Sequence, residues 1–91
     1  MLLYYLISEL LLKYLQNSIK AIIHHGDDHG YVASCFDLPV VTQGSTLDEV
    51  TTNLNEAIAL HVEGEDLSQL GFVNNPSIVV TYELNNLYAQ A

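Results

Sequence analysis

Five of the six residues from His24 to His29 carry side chains that can bind metals or move protons: His24, His25, Asp27, Asp28 and His29. Imidazole and carboxylate together suit Zn, Ni or Cu. The residues before them alternate as in a strand, and adjacent strand residues point to opposite faces. His24 and His25 therefore cannot both ligate one ion from a regular strand, and the pair open to a metal is His24 with His29. No established ligand spacing is present. An exposed polar hairpin accounts for the cluster more simply, so no cofactor is expected. Hydrolysis by two Mg ions needs several carboxylates converging on metals about 4 Å apart. Asp27, Asp28, Asp37 and Asp48 are instead spread over a turn, a corner and a helix start. No catalytic residue is assigned, and the chain is not expected to be an enzyme. Cys35 is the single cysteine. It excludes an intramolecular disulfide, suits a reducing cytosol and reads as a small buried hydrophobe.

The balance of charge narrows the partners. The 91 residues hold 11 acidic against 2 basic side chains, a formal charge of −9. Nucleic acid is held largely through phosphate neutralisation by Lys and Arg. Lys13 and Lys20, with no arginine, cannot supply it, so direct nucleic-acid binding is not expected. An acidic surface would attract a basic protein, raising on-rate and selectivity more than affinity. The opening MLLYYLI lacks a basic n-region and a small-residue cleavage site. No run reaches the roughly 18 apolar residues that a membrane span requires, so a soluble cytoplasmic protein with no membrane partner is expected.

These residues sit on a simple order of elements. Leu3, Leu6, Ile7, Leu10, Leu11, Tyr14 and Leu15 recur at helical spacing and predict a helix over residues 3–16. Its apolar face is wide enough to demand burial on more than one side. Leu3, Leu6 and Leu10 are accordingly the candidate surface for a homo-oligomer. Ser18 to His25 and Tyr31 to Phe36 read as strands joined by the turn 26–30. Asp37-Leu38-Pro39 makes a corner, Val40 to Gln43 a short third strand, and Gly44 a turn. Thr46-Leu47-Asp48-Glu49 is a capping box opening a helix over 46–63. Leu47, Val50, Leu54, Ala57, Ile58 and His61 form its apolar stripe, with His61 read as a core histidine. Gly64 offers a stop. A loop with a short turn near residues 67–70 leads to a fourth strand, Ser77 to Leu84. The expected fold is α+β: an antiparallel sheet of three to four strands, one main helix packed on it, and an extra helix in front. The domain division is an extension over 1–17, a core over 18–84 and a tail over 85–91. The order also echoes the double-stranded-RNA-binding domain, but the helix 46–63 has no Lys or Arg to meet phosphates.

The run of Gly30, Tyr31, Ala33, Cys35, Asp37, Leu38, Gln43, Gly44, Thr46, Asp48, Glu49, Asn53, Leu54, Glu56, Ala57, Ile58, Leu60 and Glu63 resembles the HicB-like antitoxin family. The likeness covers about residues 19–84. Phe36 stands where a Pro is common, and Pro39-Val40 replaces a frequent Pro-Gly. The resemblance implies a β-β-β-α-β domain akin to a partial ribonuclease-H-like fold. It also implies the antitoxin role in a two-component system, in which the chain covers and silences a small basic HicA-type toxin that cleaves messenger RNA. Asp48, Glu49, Glu56 and Glu63 are the candidate contacts for that toxin. Many relatives add a C-terminal DNA-binding segment. Here the sequence ends about seven residues after the fourth strand, so operator binding is not expected. The reading from a different class is a stand-alone oligomeric domain that binds a small ligand or metal at the histidine hairpin.

Overall fold

The computed structural model of the protein describes residues 15–84. Along them run β1 (Gln16–His25), β2 (Tyr31–Cys35), β3 (Val41–Gly44), α1 (Leu47–Val62) and β4 (Phe72–Tyr82). The expected helix in front, its Leu3, Leu6 and Leu10 surface, and the tail 85–91 lie outside the described residues.

Alternation in β1 decides which face meets the helix. Ile19, Ala21 and Ile23 are buried, whereas Lys20 is exposed and Ile22 and His24 are half-buried on the opposite face. The 26–30 turn reverses the chain: Gly26 N–H donates to the Gly30 carbonyl at 3.0 Å, and Gly30 has φ 90°, a left-handed value that glycine adopts without steric cost. β1 and β2 then pair antiparallel from His25↔Tyr31 to Ala21↔Cys35. At the Pro39 corner the Cys35 amide donates to the Val40 carbonyl at 3.0 Å, while Leu38 and Val40 turn into the core. β3 continues antiparallel beside β2, with Tyr31 opposite Gly44 and Ser34 opposite Val41.

α1 begins where its cap predicts. Thr46 is extended, at φ −130°, and its Oγ1 accepts from the Glu49 N–H at 3.0 Å. Asp48 and Glu49 add negative charge beside the positive end of the helix dipole. Val50, Leu54 and Ile58 are buried against the sheet, each worth about 1.5–3 kcal/mol of transfer from water. This stripe advances by four residues at a time, as expected for a helix crossing a twisted sheet at an angle. By the last turn it has drifted away from His61, which is exposed rather than part of the core.

Two features of the sheet differ from the sequence expectation. The sheet has the order β3-β2-β1-β4 and is mixed: β4 lies parallel to β1, with Ile19 opposite Ile78 and Ile23 opposite Tyr82. The cause is the crossover. β3 runs in the direction of β1, α1 carries the chain back to the starting end, and the next strand must run the same way. β4 also begins at Phe72, not near Ser77. Gln16 pairs with Phe72 and Ser18 with Ser77, so residues 73–76 form a bulge that accommodates Pro76. Phe72 is among the largest fully buried side chains, and that burial draws the early part of the strand inward. The preceding turn is tied by Asp66, whose Oδ1 accepts from the Ser68 N–H at 3.0 Å and the Ser68 hydroxyl at 2.7 Å. Among the described residues no helix is long and apolar enough to cross a membrane.

Candidate functional site

Asp48, Glu49, Glu56 and Glu63 are all exposed on the outer side of α1 and at its C-cap. Glu49, Glu56 and Glu63 recur every seven residues, which places them on one side of the helix about 10 Å apart. Glu65 and Asp66, also exposed, extend the acidic surface past the helix end. No Lys or Arg lies on α1. The one lysine among the described residues, Lys20, is on the opposite face of the sheet. Carboxylates at this spacing do not converge on a common atom, so the arrangement can attract a cationic surface but does not assemble a hydrolytic centre.

The hairpin histidines take separate places. His24 stands on the sheet face away from α1, its Nδ1 3.1 Å from the His25 carbonyl oxygen. His29 lies in the turn and lines a polar cleft of about 710 Å³, together with Asp27, Asp28, Ser45, Glu49 and Asn53. His29 lines this cleft and His24 does not. Among the described residues no three His, Cys, Asp or Glu side chains are grouped to hold a metal ion. The floor of the cleft is the joint between β2, β3 and α1. A Cβ on Gly30 would stand 2.6 Å from the Gly44 carbonyl oxygen, and one on Gly44 would stand 2.5 Å from the Val50 nitrogen. Asn53 Nδ2 donates to the Gln43 carbonyl at 2.8 Å across the same joint. Gly30, Gly44, Thr46 and Asn53 thus act together in packing the helix start onto β3.

One cluster was not read from the sequence. His25 Nε2 lies 3.0 Å from the Tyr82 hydroxyl, and the His25 and Tyr31 rings are 5.2 Å apart. Tyr82 meets Tyr31 edge-on at 6.0 Å. Partial desolvation, then the neighbouring Tyr31, pushes the Tyr82 phenol above its ordinary pKa. The hairpin register alone could have set His25 opposite Tyr31. Tyr82 arrives on β4, whose parallel pairing carries no local signal. Cys35 is half-buried, and burial followed by the charge of Asp37 raises its thiol pKa. A thiol held protonated in this way is a poor nucleophile.

No protein-family model matches this sequence, and no curated protein or solved structure matches the chain.

Proposed function

We propose that the protein is a HicB-like antitoxin that works in the cytoplasm, binding a small basic HicA-type toxin and silencing its cleavage of messenger RNA by covering it. The observation that carries this reading is the outer face of α1, where Asp48, Glu49, Glu56 and Glu63 are exposed on a helix without Lys or Arg. The joint built by Gly30, Gly44, Thr46 and Asn53 gives the residues of the family resemblance a common structural purpose. The mechanism is occlusion, with long-range attraction speeding encounter and selecting cationic partners. No proton transfer or bond cleavage is asked of this chain.

The test is an RNA-cleavage assay with a purified HicA-type toxin. Cleavage should stop near one equivalent of the chain. The triple variant Glu49→Gln/Glu56→Gln/Glu63→Gln should associate about tenfold more slowly at low salt, the difference shrinking as salt screens the charges. Undiminished cleavage with the chain in large excess would overturn the reading. The polar cleft beside His29 favours the second reading, a small-ligand or metal site. A Zn-dependent rise in Tm that His29→Ala abolishes would establish it.

A further inference from the structure

α1 packs chiefly over β3 and β2, at one side of the sheet. β4 is the edge strand at the other side, and its bonds to β1 decide which of its groups look outward. Glu83 N–H donates to the Ile23 carbonyl at 2.8 Å, and Ile23 is the register partner of Tyr82. In this parallel ladder Ile23 therefore bonds to the residues on either side of its partner. The odd-numbered residues from Ser77 to Glu83 face β1, and the N–H and C=O groups of Ile78, Val80 and Tyr82 point away from the sheet. Their side chains share the α1 side with Ile19, Ala21 and Ile23. Pro76 and the bulge, features that discourage strand addition, end before Ser77. The opposite edge is better guarded: β3 has four residues, and its Gln43 carbonyl already accepts from Asn53.

We infer that the outer edge of β4 pairs with β4 of a second copy, antiparallel about Val80, joining two four-stranded sheets into one. Three observations carry the inference, all independent of the antitoxin reading. The first is self-complementarity. An axis at Val80 sets Val80 against the partner's Val80 and Ile78 against the partner's Tyr82, so about six main-chain bonds form. Aromatic and β-branched pairs of this kind are favoured across strands. The second is charge. In a chain of formal charge −9, β4 carries no charged side chain from Phe72 to Tyr82. Glu83, just beyond, would lie about 20 Å from its counterpart, and the β2 strands under the two α1 helices about 24 Å apart. Both distances exceed the Debye length of about 8 Å at physiological salt. Two copies can therefore meet at this edge with their acids held apart. The third is a cleft of about 350 Å³ between α1 and β4, lined by Thr51, Thr52, Leu54, Asn55, Ile78 and Val80. Its outer side is the sheet edge, where Val80 is 38% exposed. The partner's strand supplies that missing side, laying its own Tyr82 beside Ile78. A strand pair of this length is smaller than a standard interface, so association is reversible, with a Kd of about tens of micromolar.

The test is sedimentation equilibrium of the full chain from about 1 to 500 μM, a range that spans this Kd. The mass should rise from one chain to two. Val80→Glu brings two carboxylates together on the axis and should raise the Kd at least about tenfold. Val41→Glu makes the same change at the other edge, on a side chain 70% exposed, and should leave the Kd unchanged. Thiols read the register separately, in a Cys35→Ser background. Paired residues bring their Cα atoms to about 5.5 Å, within disulfide reach, so Val80→Cys should link two chains in air at least about tenfold faster than Val41→Cys. If Val80→Glu does not fold, these thiol rates decide. A single-chain mass throughout would overturn the proposal. So would a dimer that Val80→Glu leaves intact, or thiols that link at equal rates, since either places the contact elsewhere. A monomer whose Val80→Glu form no longer inhibits the toxin would also overturn it, giving the edge to a strand of the toxin.

Discussion

Replacing Gly44 with alanine tests the joint between sheet and helix most directly. The new Cβ would stand 2.5 Å from the Val50 nitrogen, 2.8 Å from its Cα and 3.0 Å from the Glu49 carbonyl carbon. All three are backbone atoms in the first turn of α1, so no side chain can rotate out of the way. Ordinary contact begins near 3.5 Å, so the turn must retreat by about 1 Å. Overpacking of this kind costs about 1–3 kcal/mol. Because Val50 is wholly buried at that point, the upper end applies. Alanine returns a little under 1 kcal/mol by restricting the unfolded chain, leaving a net loss of about 2 kcal/mol. With a urea slope of about 1 kcal/mol/M for a domain this small, the midpoint should fall by about 2 M. Gly64→Ala is the control. Gly64 has φ 75° with nothing within 4 Å of its would-be Cβ, so its cost is backbone conformation alone. That cost is about 1 kcal/mol, or about 1 M. Gly44 has no positive φ to confuse the comparison. If Gly44→Ala lowers the midpoint no more than Gly64→Ala does, the close approach of β3 and α1 is not what holds the joint.

Asn53→Ala removes the donor to the Gln43 carbonyl and should cost about 1 kcal/mol in the same urea titration, with far-UV CD unchanged. Stability should decline at alkaline pH. Cys35 and Tyr82 both have pKa values raised from ordinary values of 9.0 and 10.0. Above about pH 9 the unfolded chain therefore releases protons that the folded chain retains. Their contribution is complete below the unfolded pKa and is lost as pH rises through the folded one. Urea midpoints from pH 7 to 11 would show this, and Cys35→Ser with Tyr82→Phe should flatten the curve.

Much of the fold was legible because its signals are local. Thr46 and Glu49 mark the start of α1, Gly30 the hairpin and Pro39 the corner, and each depends on residues within a few positions. Strand alternation separates Ile19, Ala21 and Ile23 from Lys20, Ile22 and His24, and contact with α1 decides that the first set is the buried one. What escaped notice depends on distant partners. The direction of β4 follows from the path of the crossover, and its early start from a bulge opposite Gln16 and Ser18. His61 sits at helical spacing from Ile58, yet the helix crosses the sheet obliquely and leaves it in water. The exposure of Asp48, Glu49, Glu56 and Glu63 on one side of α1 follows from which stripe of the helix meets the sheet. The His25, Tyr31 and Tyr82 group was not legible, because it unites a hairpin with the last strand of the sheet.

The parallel pairing of β1 with β4 also sets an order of events during synthesis. β1 is the first described strand to leave the ribosome and β4 the last, and Ile19 has no partner on that side until Ile78 arrives. The hairpin, the corner and α1 can assemble from near neighbours, whereas closing the long loop to β4 costs chain entropy before any contact repays it. Until then the edge of β1 and the site that Phe72 fills remain open. A translational pause after α1 would therefore hold the nascent chain in its most aggregation-prone form.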